Sequence, residues 1–387
     1  MLSEPHFIGS EIYRSTRLGA KHPLAIPRVS TTIDLARAMG WLPHRVYVES
    51  PRATPDQLAR FHAPDYVAAV MRAEAEGRVA PEVAQRYNIG RGGNPVFGQV
   101  FSRPATACGG TLEAVRLLRE GGIVHSPAGG THHGRRDRAS GFCYFNDPVL
   151  GILAFLDQGL ERVYYVDVDA HHGDGVEDAF ADDARVLTLS VHEARRWPGS
   201  GAVHDRAGGA ARNLPVPAGF NDAEMAFLVE RVIVPLGRAF RPQAVVLQCG
   251  ADALFEDPLS KLELSNLALW HVVQSVMGLG PRLLVLGGGG YNPWAVTRCW
   301  AGVWATLNGL GIPAELGAAA LGVLRSITWS RAAGANPPGH WLTTIADAPR
   351  PGPLRPEIEA LAAEVLRDEP DPREPAAGAR ALRARAG

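Results

Sequence analysis

Short apolar runs that end abruptly in glycine or in polar residues are the dominant pattern along the chain. Each run is typical of a buried parallel strand whose carboxyl end opens into a loop. The runs lie at residues 121–130, 161–169, 184–193, 243–252 and 282–291. Between them the apolar positions follow a helical period, as at residues 111–120, 148–160 and 222–240. This alternation predicts one open, mostly parallel α/β sheet with helices on both faces.

A dense polar stretch, YYVDVDAHHGDG, covers residues 164–175 at the end of the second run. Charged side chains at the end of a buried strand are costly unless they are paired or bind an ion. Asp167, Asp169 and His171 alternate along an extended segment, so they can point the same way. Asp169 and His171 would make a good pair of zinc ligands, and Asp252, beyond another strand end, would supply the third. The alternative is a structural hydrogen-bonded pair, but the matching position of Asp252 favours the metal site.

Two adjacent histidines, His132 and His133, follow a glycine turn in PAGGTHHG, again at a predicted strand end. A water activated at a metal needs a base, and a leaving amine needs an acid. Each imidazole also needs a carboxylate to fix its tautomer, and Asp167 and Asp174 are the acids that remain unassigned. The alternative is that both histidines have only a structural role. The presence of two aspartates without another role favours a catalytic one.

The last apolar run ends in LGGGGYNPWAV, where four glycines, Gly289 among them, precede Tyr291. Glycine permits backbone conformations and close approaches that other residues do not. The run lacks the Lys-Ser/Thr of a P-loop and the spacing of a dinucleotide fingerprint. The Tyr291 hydroxyl could polarise a carbonyl opposite the metal, with core packing as the alternative role. Because open α/β sheets bind ligands outside the carboxyl ends of their strands, we expect the active site there.

Composition sets the remaining bounds. The chain has 387 residues, 46% hydrophobic and 20% charged, which is typical of a soluble globular protein. The net charge of -1 favours neither direct nucleic-acid binding nor a polybasic membrane patch. Four scattered cysteines without a C-x-x-C pair, and no signal peptide or long apolar segment, predict a cytoplasmic protein. From Ala348 the composition becomes rich in proline, alanine and arginine, so we predict a catalytic domain at 1–345 and an extension at 346–387 with one helix.

Taken together, these segments resemble the zinc-dependent histone deacetylase family, in particular its class I-like bacterial branch similar to acetoin-utilisation deacetylases. The matching segments follow the family's order. They are PAGGTHHG, SGFCYFND (140–147), VDVDAHHGDGVEDAF (166–180), LSVHE, WPGSG (197–201), QCGADA and GGGGYNP. They lie within residues 14–310, and the resemblance implies the fold of the arginases and deacetylases.

The resemblance implies a role for each residue of the site. Asp169, His171 and Asp252 would hold one Zn²⁺ per chain. His133 would be the general base and acid with Asp174 behind it, while His132, oriented by Asp167, would act mainly through its charge. Tyr291 would stabilise the oxyanion of the tetrahedral intermediate together with zinc.

The resemblance also implies a tunnel for the acylated amine and structural monovalent cations. The substrate-binding residues would be Gly141, Phe142, Trp197, Leu259 and Gly289, with Arg28 lining an internal cavity that offers a route for acetate. One K⁺ or Na⁺ site would use Asp167, Asp169, His171, Ser190 and Val191, partly through main-chain carbonyls. A second would use Phe180, Asp183 and Val186.

The activity implied is an amidohydrolase that removes acetyl or other short acyl groups from lysine side chains of a peptide or protein. Two positions depart from the family pattern: Gly93 and Asn94 stand where a rim aspartate is common, and Trp197 replaces a phenylalanine. The missing acid leaves small acylated amines open as substrates. Acetylpolyamines are one alternative, although Leu259 is not the acidic residue that would attract a cationic amine.

Two more distant alternatives follow from the same residues. An arginase-like ureohydrolase would need an aspartate two residues after His171, where the chain has Gly173. A non-catalytic acyl-lysine binder would lack a member of the catalytic set, and none is missing. The sequence leaves the oligomeric state open.

Overall fold

The structure is a computed structural model that describes residues 4–15, 18–19 and 22–367. Its strands are β1 (His6–Gly9), β2 (Tyr47–Glu49), β3 (Gly122–Ser126), β4 (Val163–Asp167), β5 (Val186–Glu193), β6 (Ala211–Val216), β7 (Ala244–Gln248) and β8 (Arg282–Leu286). Within the described residues these eight strands form one sheet in the order β2-β1-β3-β8-β7-β4-β5-β6. Every neighbouring pair is parallel, which confirms the predicted fold class.

Helices connect the strands and cover the sheet. In the first half of the chain they are α1 (Ile12–Ser15), α2 (Val29–Ala38), α3 (Pro55–Leu58), α4 (Pro64–Glu76), α5 (Pro81–Tyr87), α6 (Ser102–Leu117), α7 (Asp147–Asp157) and α8 (Asp174–Ala179). In the second half they are α9 (Asp222–Leu228), α10 (Val234–Phe240), α11 (Asn266–Val276), α12 (Pro293–Leu307), α13 (Ala318–Ser326), α14 (Ala332–Ala335), α15 (Gly339–Thr343) and α16 (Pro356–Val365). One π-helical turn, Val229–Ile233, separates α9 from α10. None of the described helices combines the length and the low polarity needed to cross a bilayer.

Alternating strand residues supply two hydrophobic cores, one on each face of the sheet. On β4, Tyr164 and Val166 belong to the core that includes α2, α11 and the tryptophans of α12. Val163 and Tyr165 belong to the core formed with α6 and α7. Because both faces of the sheet are buried, the strands are almost continuously apolar. These apolar runs are what allowed the strands to be predicted from the sequence.

The five predicted strands are confirmed as β3, β4, β5, β7 and β8. The strands that the sequence did not reveal are short or lie at an edge of the sheet. β1 and β2 have 4 and 3 residues, and β6 is the edge strand beyond β5. Their apolar patterns are too brief or too mixed to separate from loops.

The strand order brings four loops to one point. β3, β8, β7 and β4 are consecutive neighbours in the sheet, and the polar segments after all four begin at their carboxyl ends. β1 and β2, which precede β3 in the chain, lie outside it on one side. β5 and β6 extend outward from β4 on the other side, and β7 and β8 fill the space between β3 and β4. This change of direction is the place where open α/β sheets form a binding crevice.

The helix predicted for the C-terminal extension is present as α16. Its Ile358 and Val365 are buried, and Arg355 just before it binds the carboxylate of Glu224 at 2.6 Å. The domain boundary at residue 345 stays a prediction. Residues 368–387 lie outside the described part of the chain.

Candidate active site

The three predicted metal ligands meet at the ends of β4 and β7. Asp169 and His171 follow β4, and Asp252 lies in the 3₁₀ turn Ala251–Ala253 that follows β7. Nδ1 of His171 is 2.9 Å from Oδ2 of Asp252 and 3.2 Å from Oδ1 of Asp169. One donor atom from each residue lies within 4.8 Å of the others, and all three residues are buried.

Backbone groups hold the two carboxylates in place. The N–H of Gly289 donates to Oδ2 of Asp169 at 2.7 Å, and the N–H of Ala170 donates to Oδ1 of Asp252 at 3.1 Å. A Cβ on Gly289 would lie 2.0 Å from Oδ2 of Asp252. Position 289 therefore has to be glycine for the loop after β8 to close over the two acids.

The donor set fits a divalent ion. Two buried carboxylates raise the pKa of His171 to about 10, although burial alone would lower it. Two carboxylates at this point carry more negative charge than one imidazolium can balance, and a divalent cation would compensate it. Mixed nitrogen and oxygen donors in this number suit zinc or ferrous iron with a position left open for water.

The tandem histidines lie beside this group, each tied to its own aspartate. Nδ1 of His132 is 2.7 Å from Oδ2 of Asp167, and Nδ1 of His133 is 2.7 Å from Oδ1 of Asp174. The two ring centroids are 3.9 Å apart. With Nδ1–H donated to a carboxylate, Nε2 of each ring is the atom left for chemistry.

The pKa values of the two imidazoles are pushed in opposite directions. For His132, burial is outweighed by the carboxylates of Asp167 and Asp169, which raise its pKa to about 9. For His133, burial and the charge of His132 lower the pKa to about 3 in spite of Asp174. Near neutral pH the pair therefore consists of a cationic His132 and a neutral His133 with a free lone pair.

Asp147, which the sequence analysis did not assign, anchors the loop that carries the histidines. This buried carboxylate accepts the N–H of Gly130 at 3.0 Å, the N–H of Thr131 at 2.8 Å and the hydroxyl of Thr111 at 2.7 Å. It begins α7. The only signal in the sequence was its place at the end of SGFCYFND.

Asp257, which was likewise not predicted from the sequence, holds the backbone of Tyr291 in place. Its carboxylate accepts the N–H of Tyr291 at 2.6 Å and the N–H of Leu259 at 2.9 Å. Burial and the charge of Asp252 raise the pKa of Asp257 to about 8. Burial also raises the pKa of Tyr291, so its hydroxyl remains protonated and able to donate.

Gly141 and Phe142 form one wall of the predicted tunnel. Both have positive φ, +52° and +68°, and the N–H of Phe142 donates to Oδ1 of Asn94 at 2.9 Å. Asn94, expected on the rim, is instead fully buried and supports this wall. A Cβ on Gly141 would lie 2.4 Å from the ring of Trp197.

Trp197 and Leu259 are the other residues predicted for the tunnel. The Trp197 ring stands edge-on to His133 with centroids 4.6 Å apart and is 49% exposed. Leu259 packs in a small apolar cluster with Phe142 and Tyr291. Both side chains thus lie close to residues of the candidate site, and their part in a substrate tunnel stays a prediction.

A cavity of about 60 Å³ extends inward from the site. Its lining includes the histidine pair, Gly289, Tyr291 and Arg28. Nη1 of Arg28 donates to the carbonyl of Gly288 at 2.8 Å, and its guanidinium lies over Trp300. The role of Arg28 in a route for acetate stays a prediction.

The residues predicted for monovalent cations lie in two places. Ser190 faces Asp167 across β5 and β4, with Val191 next to it. Phe180, Asp183 and Val186 lie at the opposite end of β5, where the carbonyls of Phe180 and Asp183 accept backbone N–H groups. Asp183 also binds Arg185 through its carboxylate. Both cation sites stay predictions.

Comparisons with known proteins point to one family. The model of the histone deacetylase domain matches residues 22–307. Putative histone deacetylase 2 of Caenorhabditis elegans is 38% identical over 307 residues, which cover 77% of this chain and 60% of that protein. The acetoin utilization protein AcuC of Bacillus subtilis is 31% identical over 382 residues, 93% of this chain and 95% of that protein. The crystal structure of an HDAC homologue from Aquifex aeolicus superposes with a TM-score of 0.89 at 34% identity, covering 94% of this chain and all of that one.

The anchoring role of Asp147 gives a stability prediction. Asp147→Asn keeps Oδ1, which accepts from Gly130 and Thr131, but replaces Oδ2, the acceptor for the Thr111 hydroxyl, with an NH₂ donor and removes the buried charge. We therefore expect the free energy of unfolding to fall by about 2–4 kcal/mol. Urea denaturation followed by circular dichroism measures it. Asp157→Asn, at the other end of the same helix, is the control: it weakens only an exposed ion pair with Arg60 and should change the value by less than about 1 kcal/mol. Equal effects of the two substitutions would show that Asp147 is no anchor.

Proposed function

Because the chain belongs to the histone deacetylase family, we propose that it is a metal-dependent amidohydrolase that removes acetyl or other short acyl groups from lysine side chains. The observation that carries the proposal is the convergence of Asp169, His171 and Asp252 beside two histidines whose pKa values differ widely. A buried site of this kind supplies an acid, a base and a place for a Lewis acid within one cavity. The chain spans about 60% of the length of the nematode relative, so its substrates and partners are part of the proposal.

We propose zinc as the ion that Asp169, His171 and Asp252 hold, with K⁺ or Na⁺ in a structural role. When bound, a divalent ion at this point polarises the acyl carbonyl and lowers the pKa of a neighbouring water. The protein contributes the remaining steps through its own side chains.

His133 acts as the general base and then as the general acid. Its Nδ1 is held by Asp174, whose other oxygen is bound by Arg135, so the ring is fixed and Nε2 faces the cavity. Neutral at ordinary pH, His133 takes a proton from the attacking water and passes it to the leaving amine. The amine then departs through the tunnel as a neutral molecule.

His132 and Tyr291 stabilise the charge that develops during the reaction. His132, kept cationic by Asp167 and Asp169, favours negative charge in the cavity. The hydroxyl of Tyr291 lines the same cavity and donates a hydrogen bond to the carbonyl oxygen as that oxygen becomes an oxyanion. Asp257 fixes the backbone of Tyr291 and so aims this donor.

The entrance favours a slender, uncharged acylated chain. Gly141, Phe142 and Trp197 provide apolar walls, and Leu259 adds an apolar residue beside them. Gly93 places no carboxylate beside Phe142, where a Cβ would already lie 2.7 Å from the ring. Recognition of a peptide backbone by an acid at this position is therefore ruled out, and small acylated amines are the second candidate substrates.

The remaining alternative, an arginase-like ureohydrolase, loses support. A second metal would need a ligand at Gly173, but a Cβ there would lie 2.4 Å from Oδ2 of Asp167. Position 173 therefore cannot take an aspartate without displacing the carboxylate of Asp167, which holds His132. We further propose that the protein acts in the cytoplasm and does not bind nucleic acid directly.

A turnover panel tests the proposed function. Zinc-loaded protein is assayed on acetyl-lysine peptides, longer acyl-lysines, acetylpolyamines and free acetamides, each with and without a chelator. We expect acetyl-lysine peptides or small acetylated amines to be hydrolysed, with the activity lost on chelation and restored by zinc. If the zinc-loaded protein hydrolyses none of these substrates, the proposal is contradicted. If it hydrolyses acetylpolyamines faster than acyl-lysine peptides, acetylpolyamines are its substrates.

The role of Tyr291 gives a second test. Tyr291→Phe removes one donor to the oxyanion, so kcat on the best substrate should fall about a hundred- to a thousandfold. Zinc content, measured by elemental analysis, should be unchanged, because Tyr291 is not a ligand. Tyr47→Phe, at the sheet edge far from the site, is the matched control. Wild-type kcat in Tyr291→Phe would eliminate the proposed role.

A further inference from the structure

A loop beside Tyr291 is held from behind by a segment that lies outside the matched family domain. The domain model matches residues 22–307, whereas α13 to α16 follow that range. The short helix α15 contacts residues 254–259, the loop between β7 and α11. This 254–259 loop contains Asp257, which accepts the N–H of Tyr291. A part of the chain beyond the matched domain is therefore connected to a residue of the site.

Glu256 makes the contact with α15 through both of its carboxylate oxygens. Oε1 lies 2.8 Å from Nε2 of His340, and Oε2 accepts the indole N–H of Trp341. The side chain of Glu256 is only 20% exposed, so water competes little for these two donors. A carboxylate held by two side chains of one helix has little freedom to move.

Trp341 is in turn fixed in the core. It is buried, and its ring stacks on Trp294 with centroids 5.2 Å apart. Trp294 lies in the first turn of α12. Nε of Arg298, also on α12, donates to the carbonyl of Thr344 at 2.8 Å and so ties the end of α15 to the same helix. α15 is therefore a rigid support, attached to the helix that begins two residues after Tyr291.

The 254–259 loop reaches the tyrosine by two routes. The carboxylate of Asp257, next to Glu256, accepts the N–H of Tyr291 at 2.6 Å. The carbonyl of Glu256 accepts the side-chain amide of Asn292 at 3.3 Å, and Asn292 also caps α12. Residues 256–257 thus hold residues 291–292. A movement of Glu256 would shift the backbone from which the Tyr291 hydroxyl is aimed.

We propose that Glu256 and Trp341 are positioning residues for Tyr291, and that the hydrogen bond between them keeps the tyrosine hydroxyl at the correct distance from the reacting carbonyl. The inference rests on the proposed function, in which Tyr291 donates to the oxyanion. Such a donor acts fully only in the correct geometry, and a displacement of about 1 Å can cost about a hundredfold in rate. Neither Glu256 nor Trp341 is among the described residues that line the cavity, so both act through Tyr291.

Trp341→Phe tests the proposal, because it keeps an aromatic ring stacked on Trp294 and removes the N–H that binds Glu256. For the zinc-loaded full chain we expect kcat on the best acyl-lysine substrate to fall about five- to fiftyfold, less than in Tyr291→Phe, since the hydroxyl is displaced but not removed. KM should change less than about twofold, because the hydroxyl acts on the transition state.

Trp304→Phe is the matched control. Trp304 lies near the other end of α12, is buried like Trp341, and donates from its indole nitrogen to the carbonyl of Trp41 at 2.8 Å. Its replacement removes the same kind of hydrogen bond from the same core, so the loss of stability should be similar. Its kcat should stay within about twofold of the wild-type value, because no contact leads from Trp304 to the 254–259 loop among the hydrogen bonds of the described residues.

A double variant separates positioning from a general loss of structure. In the Tyr291→Phe background the hydroxyl is absent, so adding Trp341→Phe should have almost no further effect on kcat. A loss of equal size in both backgrounds would refute the positioning role, because a merely structural defect would act in both. Wild-type kcat in the Trp341→Phe single variant would refute it as well.

Glu256→Gln is the second variant, because Trp341→Phe also leaves space in the core. The amide keeps the shape of the side chain, but only one oxygen remains to accept from His340 and Trp341. We expect kcat to fall about three- to twentyfold, with KM nearly unchanged and with almost no further loss in the Tyr291→Phe background.

Amide hydrogen exchange measures the same connection without any turnover. The N–H groups of Leu259 and Tyr291 both donate to Asp257, so Trp341→Phe should raise the exchange of peptides that contain residues 254–259 and 290–292 severalfold. Trp304→Phe should leave it unchanged. Unchanged exchange in Trp341→Phe would refute the support by α15. If no form of the protein hydrolyses any acyl-lysine, the proposed function fails, while the exchange measurement still decides whether Trp341 holds the backbone of Tyr291.

Discussion

Negative charge buried at the carboxyl ends of β4 and β7 is the constraint on which the rest of the site depends. Asp169 and Asp252 cannot remain ionised side by side in the protein interior without a compensating cation, because the loss of hydration is too costly. His171 lies between them and is drawn toward the charged state. A divalent ion is the charge that resolves this arrangement, and the neighbouring loops are arranged around the place where it would sit.

The same electrostatics separates the two histidines into different roles. Both rings have an aspartate behind Nδ1 at the same distance. The carboxylate of Asp169 also raises the pKa of His132, whereas the positive charge of His132 lowers the pKa of His133. Two chemically identical side chains three or four ångströms apart thereby become a fixed cation and a neutral base. Glycines at positions 141, 173 and 289 keep the space between these groups free of side chains that would separate them.

Much of the fold and the metal triad could be predicted because the information is local. Apolar runs reported the buried strands, and Asp169, His171 and Asp252 directly follow such runs. Asp147 and Asp257 could not be predicted, because their importance comes from contacts with distant segments that no spacing encodes. Asn94 is a further case: in the sequence it was only a non-acidic residue where a rim aspartate is common, and its hydrogen bond from the N–H of Phe142 becomes apparent only in the fold.

Anomalous X-ray diffraction at the zinc absorption edge, from crystals of the zinc-loaded protein, locates the bound ion. We expect one strong peak at about 2.0–2.2 Å from Nδ1 of His171 and from one carboxylate oxygen each of Asp169 and Asp252. A zinc ion held by other residues, with these three side chains hydrogen-bonded only to one another, would contradict it.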